Sequence, residues 1–415
     1  MPPNPDARNV VVTGWGALSG LGQGVPAHWD ALVAGHDAAR PFQRAMPDNP
    51  ELGFEGIAAW MTPYDSAGFA RHFNHRLLTA MDPVAAHAVI AAFEALEDAQ
   101  LIGHADIVAP AAVIIGCGGG GTGAIEEAYS RVFTKRTKSV HPLTIPRQMT
   151  SSPASQVSMV FGAKGPSFVI ASACASSAHA IAEAAHMIRA GRIEIALVGG
   201  TEAPLTTGSM FAWQALRVMA QERCRPFSKD RDGLVLGEGA AMFVLESEAH
   251  AQRRGARIHA RILGSGASSD AHHMTHPDGA GAVAAIADGL KDAGLSADTG
   301  FLISSHGTGT AINDKTEAAA LRQVLGNSLE KSLVIATKSA HGHLLGAGGA
   351  LEFLVGLLAL KQRLAPAILN FTDRDTDCDL PLALENQSIK QQFLLSNSFA
   401  FGGTNSVLIG GLWET

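Results

Sequence analysis

The stretch Gly165-Pro166-Ser167-Phe168-Val169-Ile170-Ala171-Ser172-Ala173-Cys174-Ala175-Ser176-Ser177-Ala178-His179 decides the fold class. Phe168–Ala171 is a short, continuous apolar run, which reads as a strand buried on both faces. Small residues follow directly. His179–Arg189 is then Ala-rich and apolar nearly all round, the pattern of a helix at the centre of a fold. A buried strand passing through a tight turn into a buried helix belongs to an α/β chain.

Similar runs recur at Val10–Thr13, Ala111–Ile115, Ile195–Val198, Met242–Leu245, Phe301–Ser304, Leu333–Ala336, Phe393–Leu395 and Val407–Ile409. Asp82–Leu101 carries apolar residues at helical spacing and ends near Gly103. Alternating strands and helices predict mainly parallel sheets. The run Phe168 to Cys174 has a counterpart in Leu333 to His343: each strand ends in small residues and a chemically loaded turn. Two related halves, 1–255 and 256–415, are therefore expected to form a layered, pseudo-symmetric fold. No short-period repeat or low-complexity linker is present.

The 415 residues are 47% hydrophobic and 17% charged, enough to fill a large core without a disordered composition. The net charge of −7 excludes a general affinity for nucleic acid. Met1 to Asn9 is polar and Pro-rich, with no signal-peptide core, and Phe353–Leu360 is too short to span a bilayer. No membrane association is expected. Cys117, Cys174, Cys224 and Cys378 lack CxxC spacing, which argues against a zinc site or a disulfide framework and favours a reducing cytoplasm.

Cys174 falls at or just before a helix N-terminus, where unpaired N–H groups and the helix dipole favour thiolate. The turn is similar to the strained strand–nucleophile–helix turn of hydrolases, with Cys in place of Ser. A buried structural cysteine is the competing reading, and Cys117, Cys224 and Cys378 are left structural. Of seventeen histidines, two stand where a sheet edge opens among Gly and Ser: His306 in Ser304-Ser305-His306-Gly307-Thr308-Gly309-Thr310, and His343 in Thr337-Lys338-Ser339-Ala340-His341-Gly342-His343. Two imidazole donors facing one thiol could stabilise an enolate or oxyanion. His341 with His343, or His272, His273 and His276, could suggest a metal, but no carboxylate sits among them at a familiar zinc-binding spacing. No metal is expected.

These motifs, with Arg225-Pro226-Phe227, Gly237-Glu238-Gly239 and Asn397-Ser398-Phe399-Ala400-Phe401-Gly402-Gly403-Thr404-Asn405, resemble the β-ketoacyl-acyl carrier protein synthases. The similarity is to synthase II and its relatives, and it runs in order along essentially the whole chain. It implies a thiolase-like fold of five layers, α-β-α-β-α, and usually a homodimer. It implies a decarboxylative Claisen condensation in fatty acid or specialised lipid, polyketide or polyene synthesis, with no organic cofactor. Cys174 matches the acylated nucleophile. His306 and His343 match the pair that supports malonyl decarboxylation, and Lys338 the lysine beside them. Glu317 and Glu352 match the acidic positions orienting that network. Phe401 matches a gate residue whose N–H forms the oxyanion hole with that of Cys174.

The resemblance implies an acyl carrier protein as partner, with Arg71, Arg76 and Arg217 as docking candidates; solvated surface arginines are the plainer reading. Gly119, Trp213 and Phe399 fall on the acyl pocket. Gly119 stands where a bulky aliphatic residue is common, and Trp213 where a Phe is common. A substrate other than an ordinary saturated chain is therefore expected. Three other functions compete. A chain-length factor would lack the nucleophilic Cys, although a heterodimer with such a partner stays open. A thiolase would carry a second catalytic Cys where Phe401–Asn405 stands. A binding module would not need both histidines. Gly116–Gly121 lacks the Lys-Ser/Thr of a P-loop.

Overall fold

A computed structural model of the chain describes residues 8–46, 49–61 and 80–413. Its main sheet is built from β1 (Val10–Ser19), β2 (Ala112–Gly116), β3 (Ser167–Ile170), β4 (Ile195–Glu202), β5 (Gly239–Ser247), β6 (Ala260–Ser269), β7 (Leu302–Ser304), β8 (Leu333–Ile335), β9 (Phe393–Ala400) and β10 (Thr404–Leu412). The short strand Gly22–Gln23 adds to β1, giving eleven strands among the described residues.

The strand order is β8-β7-β9-β10-β6-β1-β5-β4-β2-β3. The order 3-2-4-5-1 at one end thus repeats as 8-7-9-10-6 at the other. The pairing directions repeat as well. β2 runs parallel to β3 and β4, and β7 parallel to β8 and β9. β5 is antiparallel to β4 and β1, and β10 antiparallel to β9 and β6. The two arrays join through β1 and β6, with Val11 opposite Arg261. The sheet is therefore mixed rather than mainly parallel. Its parallel strands lie at the two ends, and its centre is antiparallel because β9 and β10, for example, are joined by the tight turn Phe401–Gly403.

Helices α1 (Pro83–Asp98), α2 (Ser176–Arg189), α3 (Gly279–Ala293), α4 (Ala311–Leu325) and α5 (Gly348–Gln362) complete the layers. The period-2 alternation of each strand divides its side chains between two cores. In the first array, Ile114, Val198, Phe243 and Leu245 share a core with α2 and α5. Their neighbours Val113, Ile115, Leu197 and Val244 share one with α1. In the second, Leu302, Leu394 and Leu408 turn toward α5. Ile303, Leu395 and Ile409 turn toward α3 and α4. The result is five layers, α-β-α-β-α, with α2 and α5 in the middle.

Leu345–Gln362 is long and apolar enough to cross a membrane by length and composition, a longer stretch than Phe353–Leu360 suggested. It is the enclosed middle-layer helix, apolar all round because sheets cover it on both sides. Gly349 lets it approach α2, since a Cβ there would sit 3.1 Å from the Cβ of Ala178 and 2.7 Å from Ser398 Oγ.

The strand β6 has no counterpart among the apolar runs of the sequence. Its second half, Gly264–Ser269, is glycine and serine rich, and its burial alternates. α2 begins at Ser176, three residues before the expected His179. α1 ends at Asp98, and Gln100 has a positive φ of 58°.

His28, in the helix Val25–Val33, is fully buried, with Nδ1 3.1 Å from Ser19 Oγ. Burial lowers its pKa to about 4. The unfolded chain binds this proton more readily, so its contribution to stability is intact above pH 6.5 and is lost as pH falls toward 4. The expected loss is about 1.4 kcal/mol per pH unit across that window. Urea unfolding at pH 7.5 and 5.0 should show a drop in midpoint that His28→Gln makes smaller.

Candidate active site

The turn that carries Cys174 is built by close packing. β3 ends at Ile170, a 3-10 turn spans Ala173–Ala175, and α2 follows at Ser176. Ser176 Oγ locks the turn by donating to the Ala173 carbonyl (2.6 Å) and accepting from Ser172 N–H (2.9 Å). Gly116 closes beneath it, because a Cβ there would lie 2.2 Å from Ser177 N. The strain falls on Ala173, whose φ is +49°, a conformation that costs a residue with a side chain about 1–2 kcal/mol.

Cys174 is buried, and its sulfur lies 3.1 Å from His343 Nε2. Burial pushes the thiol up to about 12; the Lys338 charge and the Phe401 N–H pull it down only in part, and Glu202 and Glu352 add to the rise. The resting group is a thiol, not the thiolate expected from the helix N-terminus. Cys174 sits within the 3-10 turn ahead of α2, and desolvation outweighs the helix dipole.

His306 follows β7 and His343 follows β8, so the parallel pairing of these strands brings both rings to one sheet edge. The ring centroids are 5.4 Å apart and nearly perpendicular, at 83°. Each Nδ1 faces a donor. Leu345 N–H donates to His343 Nδ1 at 3.2 Å, and Lys338 Nζ lies 3.2 Å from His306 Nδ1. An ammonium can only donate, so both Nδ1 atoms accept and both rings carry their proton on Nε2. Burial first, and then the Lys338 charge, hold both imidazoles well below their usual range, so they are neutral. His343 Nε2–H therefore faces the thiol, with the neutral His306 ring beside it.

Lys338 and Glu352 form a buried ion pair, each 1% exposed. Lys338 also donates to the His306 carbonyl. Burial raises the Glu352 carboxyl to about 7, against the pull of Lys338. Glu317 accepts the N–H groups of His306 and Gly307, both at 2.8 Å, and the Asn397 side chain at 2.9 Å. It therefore holds the loop that carries His306. The Arg225-Pro226-Phe227 landmark braces this loop: Phe227 N–H donates to Asp314 at 2.8 Å, and Cys224 Sγ donates to Thr308 O at 3.3 Å.

Sγ of Cys174 and one nitrogen of each histidine lie within 4.8 Å of one another, close enough to suggest a metal. The tautomers oppose it. Binding through both Nε2 atoms would move each proton to Nδ1, against the Leu345 N–H and the Lys338 ammonium. His341 spends its nitrogens on Gly342 O and Thr337 Oγ1.

A cavity of about 410 Å³ opens from Cys174, His306 and His343. Trp213, Phe399, Phe401 and Arg217 line it, as do Thr308, Thr310, His273 and His276, which the sequence reading did not select although both threonines lie in the His306 motif. Trp213 and Phe401 stack at 6.0 Å and 19°. Gly119 is not in this wall; it is exposed on the chain, and its N–H binds Glu202 at 3.0 Å. Arg217 is exposed at the cavity, with a φ of 56°. Arg71 and Arg76 lie outside the described residues. Cys117, Cys224 and Cys378 are free and buried.

Lys338→Met leaves Glu352 buried without its counter-charge and should cost about 3–5 kcal/mol in denaturant unfolding. The double variant Lys338→Met/Glu352→Gln should recover most of that stability but not the Nδ1 partner of His306. Stability should therefore return without activity.

The family pattern of the β-ketoacyl synthase N-terminal domain matches residues 7–251, and that of the C-terminal domain matches residues 259–372. Nodulation protein E of Rhizobium sp. (strain N33) is 39% identical over 402 residues, 97% of this chain and 98% of that protein. The 3-oxoacyl-(acyl-carrier-protein) synthase 2 of Coxiella burnetii (strain RSA 493 / Nine Mile phase I) is 36% identical over 413 residues, again 97% and 98%. The solved structure of the ishigamide ketosynthase/chain length factor aligns with a TM-score of 0.89 at 31% identity, covering 98% of this chain and 100% of that one. The chain belongs to the β-ketoacyl synthase family of acyl-transferring condensing enzymes.

Proposed function

We propose that the chain joins an acyl group held on Cys174 to the two-carbon unit of malonyl-acyl carrier protein, giving a β-ketoacyl-acyl carrier protein and carbon dioxide. The observation that carries this reading is the clustering of two neutral imidazoles with one buried thiol, Sγ and one nitrogen of each ring lying within 4.8 Å of one another.

In the loading step the Cys174 sulfur attacks the acyl thioester, and the thiol proton leaves with the departing carrier thiol. His343 Nε2–H and Phe401 N–H stabilise the sulfur as its charge grows. In the second step the malonyl carbon–carboxylate bond breaks. Its electron pair passes into the thioester, forming an enolate whose oxygen accepts from both histidines. The enolate carbon then attacks the acyl carbonyl, the carbon–sulfur bond to Cys174 breaks, and the departing sulfur takes a proton from water to return to the resting thiol. The oxyanion of that step sits on the N–H groups of Cys174 and Phe401. Neutral imidazoles suit this task, since a donor that keeps its proton stabilises an enolate without quenching it.

The carrier protein enters this reading from the motifs and from the named activity of the Coxiella relative. A second chain is part of it. β3 is an edge strand, and Tyr129, Phe133, Ile145 and Met159 on the flanking helices are exposed. That chain is a second copy or, as the ishigamide relative suggests, a chain-length partner. A chain-length role for this chain itself is not favoured, because it keeps Cys174, His306 and His343. Four free buried cysteines fit a reducing cytoplasm. The Trp213–Phe401 stack in the cavity wall supports an acyl group other than an ordinary saturated chain, in a specialised pathway.

Intact-mass analysis with acyl-carrier proteins should show one acyl group on the wild type and none on Cys174→Ala. His306→Ala and His343→Ala should still load but release carbon dioxide from malonyl-carrier protein about 100-fold more slowly or worse. Loading without any carbon dioxide release by the wild type would sink the condensation reading. Across a panel graded in length and unsaturation, loading should favour unsaturated or modified chains. A maximum on ordinary long saturated chains would refute the specialised substrate.

A further inference from the structure

Glu202 ends β4 and is buried, at 1% exposed. No motif in the sequence marks it. Its carboxylate oxygens divide their partners in a particular way. Oε1 accepts Gly119 N–H at 3.0 Å and faces Cys117 Sγ at 3.7 Å. Oε2 accepts Gly118 N–H at 2.8 Å and Gly346 N–H at 3.0 Å. Gly118 lies in the glycine turn after β2, whereas Gly346 lies in the turn that carries His343. One oxygen thus joins two turns that are far apart in sequence. The approach is tight: a Cβ on Gly346 would sit 2.7 Å from Oε2 and 2.6 Å from Gly118 N.

His343 Nδ1 takes its partner from Leu345, the residue next to Gly346. Whatever holds Gly346 therefore holds the donor that fixes the His343 tautomer. We propose that Glu202 is a positioning residue for the condensation: its carboxyl group ties the glycine turn 117–120 to the 343–346 turn and so sets His343 against Cys174. This rests on the reading that His343 supports malonyl decarboxylation. Burial pushes the Glu202 carboxyl above its usual range, the N–H groups of Gly119, Gly118 and Gly346 pull it back only in part, and Glu202 is one of the groups that raise the Cys174 thiol. The other charged and titratable groups around that thiol are Lys338, Glu352, His306 and His343.

A glutamine at 202 keeps the shape but presents an NH2 where one of the two acceptor oxygens was. Either Gly119 or the Gly118–Gly346 pair then faces a donor. In the full-length enzyme, Glu202→Gln should load acyl groups within about 3-fold of wild type but decarboxylate malonyl-carrier protein about 20-fold more slowly or worse. Iodoacetamide alkylation of Cys174 at pH 9 should be about 3-fold faster, because a negative charge near the sulfur is gone. Glu202→Asp keeps the charge and withdraws the tie, so decarboxylation should fall while alkylation stays put. Gly346→Ala, which wedges a methyl between Oε2 and Gly118, should act as Glu202→Asp does and provides the same test if Glu202→Gln does not fold. A folded Glu202→Gln with wild-type decarboxylation overturns the proposal, as does an equal fall in loading and decarboxylation. Failure of the wild type itself to decarboxylate would instead remove the reading on which the proposal rests.

Discussion

A single buried ammonium governs the chemistry of this molecule. Lys338 sits 1% exposed between the Glu352 carboxylate, His306 Nδ1 and the His306 carbonyl. Taking an ammonium and a carboxylate out of water is unfavourable unless each finds the other and the remaining protons find acceptors. Here the pairing does more than offset burial. Because an ammonium cannot accept, it dictates which nitrogen of His306 keeps the proton. It also lowers the basicity of both catalytic-site histidines and partly counters the desolvation of Cys174.

The layers supply that ammonium with its partners. Lys338 and His343 follow β8, His306 follows β7, and Glu352 projects from the second turn of α5. A carboxylate inside an apolar helix enclosed by both sheets has almost no alternative partner. Cys174 reaches the same point from the other array, because α2 lies beside α5 in the middle layer and Gly349 removes the side chain that would keep them apart. The two strand arrays share one order, so the turn after β3 and the turn after β8 occupy corresponding places.

This arrangement differs from an acid–base pair such as a Cys–His hydrolase would use. Neither imidazole has a carboxylate on Nδ1 to raise its basicity; one has an amide N–H and the other a cation. The site is consequently poor at taking a proton from sulfur and well suited to donating hydrogen bonds to an oxygen that gains charge. Water attack would need a base, and decarboxylation needs only donors.

Several of these features were legible in the chain itself. Cys174, His306 and His343 each end a buried apolar run in a sequence of small residues, so periodicity and composition place them at sheet edges. The family motifs supply their company, Lys338, Glu317, Glu352 and Phe401. The strand β6 escaped because Gly264–Ser269 has too few apolar side chains to register as a run. Glu202 escaped because its partners are backbone N–H groups at Gly118, Gly119 and Gly346, and no spacing of residue types encodes that. The sequence alone thus determined which atoms could react, since side-chain chemistry is a local property. Only the tertiary structure decided their protonation. The neutral thiol, the Nε2–H tautomers and the raised Glu352 all follow from desolvation and from contacts between segments more than 30 residues apart or across a turn, and both arise only once the chain is packed.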